Sequence, residues 1–573
     1  MSISHTSFLT LENFEGFENA EKYASFVPKL EAYRKKLEDA ILPEYSIELP
    51  GDIDELKTKQ FNPLKYIYEK NLLSEAEFKI TDTPAFELVP KLAKGELTAV
   101  EVFKAFAKRA TIAHQFTNCA MEIFNDEGLE RAKYLDEYLA KEKKPIGPLH
   151  GLPISLKEHM HYKGKATHAG YVSLIDNITP KHGNTTQILE NLGAVFYIRT
   201  NEPQTLMHLC SNNNVVGAAR NPHNLGLSPG GSSSGEGSIV GFGGSPIGIG
   251  SDIGGSIRGP AAFSGCIGLR PTSKRVSLAG GVSSGAGQES VPAVQGPMTR
   301  SVDDIDFWMN IYINQGKPWE TDCNVIPLPW RKVDVPKVDS LTIAIMYDDG
   351  LVKPTPPIQR GLKETADKLS KAGAKVVEFK PIKTKLAYDT VHKMYCCDGN
   401  DAQKTLLAES GEPLTKLTQW NLNFGDGGRP FSITENRQLN IIRDTLKQEY
   451  TDFLNENKID FIISPAYNNV APRPEEIYNW SYTSLFNILD LPTLAFQTGL
   501  FQDPKVDKWD DSHSTYEFRS DLEKLELDNY IPENFTGAPI GLQLSGRRYF
   551  DEEVVAAGKS ITKALGADLY KVY

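Results

Sequence analysis

Apolar and polar positions along the chain follow two alternating rhythms. In VFKAFAKRATIAHQ (102–115) apolar residues recur every three or four positions, behind a Thr98/Glu101 pair that reads as a capping box, so a helix is predicted from Thr98. EGLERAKYLDEYLAKE (127–142) predicts a second helix. Short apolar runs then predict strands at GLPISLKE (151–158), AVFYIRTN (194–201), LTIAIMYD (341–348), KVVEFKP (375–381) and DFIISPA (460–466). Helical patterns precede two of them: NTTQILENLG runs into Ala194, and PPIQRGLKETADKLSKAG leads to Lys375. Such alternation predicts an α/β fold, a sheet covered by helices. The first 84 residues are charged, helix-favouring and broken by prolines. They read as a helical extension (1–84) packed on a main domain (85–573). The Pro- and Trp-containing stretch 315–340 is either a boundary or a surface excursion.

Composition narrows the class. The chain has 573 residues, 40% hydrophobic and 24% charged, as in ordinary globular proteins. A net charge of −12 argues against nucleic acid or an anionic membrane as the main partner. No apolar run reaches the roughly 18–20 residues that span a bilayer. The acidic start lacks a secretory pattern, and Lys571-Val572-Tyr573 matches no common address tag. Six cysteines without a CxxC suit a reducing compartment and suggest neither a disulfide frame nor a zinc site. A cytoplasmic enzyme is expected.

The segment Gly230–Gly259 holds 12 glycines and 7 serines in 30 positions. Its composition suggests a flexible linker, but its apolar pattern, SIVGFGGSPIGIG, suggests a packed backbone with close approaches. A phosphate-binding loop is disfavoured because G-x-x-x-x-G-K-[ST] is absent and Arg258 is the segment's only cation. GSSSG (231–235) formally satisfies G-x-S-x-G around Ser233, yet loop-like residues precede it where a hydrolase elbow needs a strand. If Ser256 in SDIGGSIRG is a nucleophile, no histidine lies nearby in sequence to act as its base. A buried lysine or a relay through another hydroxyl remains, and Lys157 ends an apolar strand. His159 and His161 form an H-x-H pair without a visible third ligand, so no metal is expected. Cys210 and Cys266 read as buried thiols.

At this point the residues match a known pattern. GGSSSGEGSIVGFGGSPIGIGSDIGGSIRGPAAFSGCIGLRPT (230–272) resembles the signature of the amidase signature family. GPLHGLPISLKEH (147–159) resembles that family's lysine segment, and IGLQLSGRRYFDEE (540–553) its C-terminal element. TNEPQTL leading to NPHN (200–224) resembles the stretch between them. With ELTAVEVFKAFAKRATIAHQFTNCAMEIF (96–124) and the N-terminal extension, the likeness is greatest to fungal acetamidase-type general amidases and spans about 85–565.

The resemblance implies a large mixed β-sheet covered by helices on both faces. It also implies a Ser–Ser–Lys triad of Ser256 as nucleophile, Ser232 as bridge and Lys157 as base, with a cis peptide at Gly231–Ser232. The amides of Ile253, Gly254, Gly255 and Ser256 match the family's oxyanion hole, where each donor is worth roughly 3–4 kcal/mol. Gly231, Asp252 and Arg258 take supporting roles. Ser233 is expected to bond to Ser232 or Lys157, and Ser234 to be merely small. Leu206, Met207 and Leu209 fall where relatives line the acyl pocket.

The implied function is cofactor-free hydrolysis of small uncharged amides through an acyl-enzyme, giving acid plus ammonia or amine. Carbamates and esters are alternative substrates for the same machinery. A glutamine-cleaving subunit of a tRNA-dependent amidotransferase and a non-catalytic scaffold are more distant alternatives. A fatty-amide specialist is a rival at the level of substrate, and it lacks the membrane-binding apolar helix such enzymes often carry. The expected partner is a small-molecule amide or carbamate, with no nucleic acid and no membrane; a homodimer is compatible with the sequence.

Overall fold

The computed structural model describes residues 18–423, 428–567 and 569. The first 17 residues of the extension and Lys571–Tyr573, on which the reading of the chain ends rests, lie outside the described residues.

Eleven strands form one mixed sheet: β1 (Ala120–Ile123), β2 (Pro153–Lys157), β3 (Val195–Thr200), β4 (Ile247–Asp252), β5 (Ile267–Arg270), β6 (Val294–Thr299), β7 (Thr342–Ile345), β8 (Lys375–Glu378), β9 (Phe461–Pro465), β10 (Thr493–Phe501) and β11 (Pro539–Ser545). Their order is β1-β3-β2-β4-β6-β5-β10-β11-β9-β7-β8. β2 pairs in parallel with β3 and β4, and β7 with β8 and β9; the other pairings are antiparallel.

All five strands expected from apolar runs are present. They read clearly because helices cover both faces, so that most of their residues are buried and apolar. In β3, Phe196 joins an apolar cluster with Ile154, Ile249 and Trp308, while Val195 and Tyr197 join another with Phe103, Phe106 and Phe242. The helix Ala99–Thr117 starts from Thr98 with the expected capping box to Glu101. Six strands went unforeseen. β4, IGIGSD, is the instructive one, because alternating glycines hide its strand character in sequence.

Helix α1 (Ala20–Asp39) lies on the main body with only Leu30 and Leu37 buried. Polar contacts hold it: Arg34 Nη2 donates to Asn214 O at 2.7 Å, and Asn19 N donates to Gly411 O at 2.9 Å.

Candidate active site

The Gly/Ser segment is packed structure rather than linker. It forms the buried helix Ser234–Phe242, strand β4 and a turn at 253–257, and runs on into the buried helix Arg258–Phe263 and strand β5. Close packing explains the composition. A Cβ at Gly231 would lie 1.9 Å from Cys210 O, so no larger residue fits there. Gly255 adopts φ +129°, a backbone state that L side chains rarely take.

Parallel pairing of β2 with β4 matches Ile154 to Ile247 and Leu156 to Ile249, which carries the end of β2 alongside the end of β4. Lys157, fully buried at the end of β2, meets the Ser232 loop there. Its Nζ is hydrogen-bonded to Ser232 Oγ at 2.6 Å and to Ser251 Oγ at 3.0 Å. The Gly231–Ser232 peptide is cis. Ser256 is 5% exposed, and its carbonyl accepts from Ser233 N at 3.1 Å, which ties the turn to the residue after Ser232. Ser233 Oγ does not bond to Ser232 or Lys157 as expected; it bonds to the Ser251 backbone, donating to O at 3.3 Å and accepting from N at 3.2 Å. Ser234 opens its helix, with Oγ 3.4 Å from Cys210 O.

Burial pulls the Lys157 amine down to about 8, with Glu202, Asp252 and Glu236 opposing it weakly. Glu236 lies beneath, accepting from Ser155 Oγ at 2.6 Å and Thr200 Oγ1 at 2.9 Å, and burial pushes its carboxyl up to about 8.

The other side of the turn is a buried ion pair. Asp252 receives Arg258 Nε at 3.0 Å and Nη2 at 3.1 Å, and also accepts from Gly255 N, Ile257 N and Asn487 Nδ2. Although burial opposes ionisation, Arg258 holds this carboxyl well below the usual range. Arg258 also donates to Thr483 O and Gln543 Oε1, both at 3.0 Å. Asp252 and Arg258 therefore fix the shape of the turn. Tyr395 OH donates to Ile253 O at 2.8 Å, and Thr483 Oγ1 donates to Gly254 O at 2.6 Å. Two consecutive carbonyls are thus anchored from outside the turn. The Gly255 amide is committed to Asp252, whereas among the described residues those of Ile253, Gly254 and Ser256 have no acceptor. A serine beside a buried amine, under a turn with uncommitted amides, suits acyl transfer.

A family model for amidases matches residues 101–555. The chain belongs to the amidase signature family. It is an enzyme that hydrolyses amides, cleaving carbon–nitrogen bonds other than peptide bonds. It is 40% identical to an acetamidase of Emericella nidulans over 510 residues, covering 87% of this chain and 92% of that one. An acetamidase of Aspergillus oryzae is 36% identical over 552 residues, covering 93% and 97%. A solved structure titled fatty acid amide hydrolase is 62% identical, with a TM-score of 0.98 over 99% of this chain and 100% of that one. A bacterial aryl acylamidase, 20% identical with a TM-score of 0.67 over 85% and 97%, shares the fold.

A cavity of about 480 Å3 opens beside the 253–257 turn of this amidase, lined by Ile253, Met207 and Tyr395 with Gln403, Asn440 and Arg443. Of the three expected pocket residues, Met207 alone lines it. Leu206, at φ +64°, packs instead with Tyr171, Leu407 and Leu422, and Leu209 is buried in the main core. His159 Nδ1 lies 3.3 Å from Val282 O, and Cys210 and Cys266 are both buried. Ser251, Tyr395, Thr483 and Asn487 were not foreseen. Ser251 lies inside the signature, but the strand that aims it, β4, is hidden in the sequence by its glycines; the others lie more than a hundred residues away and carry no local signal.

Among the described residues, no helix is long and apolar enough to cross a membrane.

Proposed function

We propose that the amidase cleaves N-acyl amides with an extended acyl group through a Ser256 acyl-enzyme. The observation carrying the mechanism is the buried Lys157–Ser232 hydrogen bond of 2.6 Å, a proton path from amine to hydroxyl that needs no histidine. Neutral Lys157 takes a proton through Ser232 as Ser256 attacks the carbonyl, and the same path returns it to the departing nitrogen. That return matters because an unprotonated amide nitrogen is a very poor leaving group. The Ile253, Gly254 and Ser256 amides face the developing oxyanion, while Gly255 holds the turn. Water then hydrolyses the acyl-enzyme to acid, by the same relay.

The cavity beside the turn supports an extended acyl group. A space of about 480 Å3 is far larger than acetamide requires and falls within the range of drug-sized ligands. The neighbour titled fatty acid amide hydrolase, at 62% identity, supports the same reading. The 40% identity to an acetamidase favours the small-amide alternative.

The test is kcat/KM for primary amides of increasing chain length, with benzamide and ethyl carbamate alongside. A rise of at least about tenfold from acetamide to a long-chain amide is expected; a preference for acetamide would overturn the acyl-group assignment. Fluorophosphonate labelling that survives Ser256→Ala would overturn the nucleophile.

A further inference from the structure

Lys157 lies against an acidic cluster that the mechanism above does not use. Glu158, the next residue in the chain, accepts from His168 N at 3.0 Å and Ala169 N at 2.9 Å, and Arg199 Nη2 lies 3.4 Å from its Oε1. Glu202 follows β3, whose end is paired with Lys157 through Thr200. It is fully buried, and its Oε2 accepts from His159 N at 3.2 Å. Its Oε1 is buried with no donor to satisfy it, while the Glu158 carboxyl interacts with it directly. Two carboxylates in such contact cannot both ionise, so the pair holds one proton. Against burial, the His168 and Ala169 amides and Arg199 favour the charge on Glu158 and hold its carboxyl below the usual range. Among the described residues Glu202 has one amide and no cation bonded to it; its carboxyl is pushed far upward, first by burial and then by Glu158.

We propose that Glu202 is a positioning residue for Lys157: it carries the proton of the Glu158–Glu202 pair and so presents the amine with a neutral wall. The reading rests on Lys157 being the base. The groups facing Lys157 are the hydroxyls of Ser232 and Ser251, with Glu202, Glu236, Asp252 and His159 around them. Glu236 is held protonated by burial and the charge on Asp252 is taken up by Arg258, which makes Glu202 the acid whose state decides the local charge. Around the pair stand Arg199, His168, Glu122 and Tyr33. His168 Nδ1 accepts from Gly170 N, which places its proton on Nε2, 3.1 Å from Tyr33 OH on α1. The N-terminal extension thereby closes the far end of the polar chain that reaches the lysine.

An ionised Glu202 would favour protonated Lys157 and move the acid limb of kcat/KM upward. In Glu202→Gln the carboxamide donates to Glu158 as the carboxylic acid did, so the acid limb is expected to stay in place. In Glu158→Gln the competing charge is gone and the new carboxamide can donate to the unsatisfied Glu202 Oε1, so Glu202 ionises despite its burial, raising the acid limb by about one pH unit or more. Glu158→Gln/Glu202→Gln is expected to return it to the wild-type position. A fall of about a unit in Glu202→Gln, or no rise in Glu158→Gln, overturns the proposal. Should Glu158→Gln fail to fold, the infrared difference between wild type and Glu202→Gln decides. Loss of a protonated-carboxyl band supports the assignment, and loss of a carboxylate band overturns it. Lys157→Ala separates the two readings: an acid limb unchanged in that variant removes the base itself, whereas a failure confined to the glutamate variants leaves the triad standing.

Discussion

Two buried charge clusters flank the Ser256 turn and are built on opposite plans. On one side Asp252 is ionised, met by Arg258 through two nitrogens and by Gly255, Ile257 and Asn487. On the other side Lys157 has two serine hydroxyls as its hydrogen-bond partners, and Glu236 nearby keeps its proton up to about 8. Both sites are buried, so the difference comes from partners and not from burial. A fully bonded charge pair is rigid and cannot give up a proton at neutral pH. A buried amine among neutral groups has its charge disfavoured, and that makes it usable as a base. In the proposed mechanism one cluster supplies shape, the other reactivity, and Ser256 sits where they meet.

Lys157→Met breaks the reactive side with little structural cost. Turnover is expected to fall by about 10²–10⁴-fold, as for loss of a general base. Stability in urea should change by no more than about 1–2 kcal/mol, since a buried amine is replaced by an apolar chain of similar length and two hydroxyls lose one bond each. Asp252→Asn is the reverse case. It leaves Arg258 buried without a counter-charge, and a loss of about 3–5 kcal/mol is expected in urea unfolding. A Lys157→Met protein as destabilised as Asp252→Asn would erase the contrast.

How legible this was in the sequence follows the same division. Lys157, Ser232 and Ser256 stand in apolar or glycine-rich contexts where a nucleophile and a buried base make chemical sense, although resemblance, not spacing, selected Lys157 and Ser232. Strands β2, β3, β7 and β9 were readable because burial on both faces leaves an apolar run, and the edge strand β8 from its pair of valines although none of its residues is buried. β4 was not, since IGIGSD trades side chains for close backbone packing. The anchors Tyr395, Thr483, Asn487 and Gln543 reach the turn from elements far along the chain. Their tyrosine, threonine and amide groups look like any other core polar residue until the fold brings them to a carbonyl or a guanidinium. Leu206 and Leu209 lie away from the cavity beside the turn for a related reason. The left-handed backbone at Thr205 and Leu206 re-aims the segment, and that cannot be read from residue type.

The sharpest check on the neutral side is a dependence on pH. Glu236 keeps its proton up to about 8 in the folded amidase, whereas an unfolded glutamate releases it near about 4.5. Between those values the native state binds more protons than the unfolded state, so this residue lowers stability as pH rises, by up to about 1.4 kcal/mol per unit, and the loss levels off above the folded value. Glu236→Gln removes that dependence: its carboxamide donates to a Ser155 or Thr200 hydroxyl where the carboxylic acid did. Near pH 4.5 the two proteins should unfold at nearly the same urea concentration. The variant should then gain on the wild type toward pH 8. Parallel urea midpoints across that window would show that Glu236 is ionised like Asp252, and the two sides of the turn would no longer differ in kind.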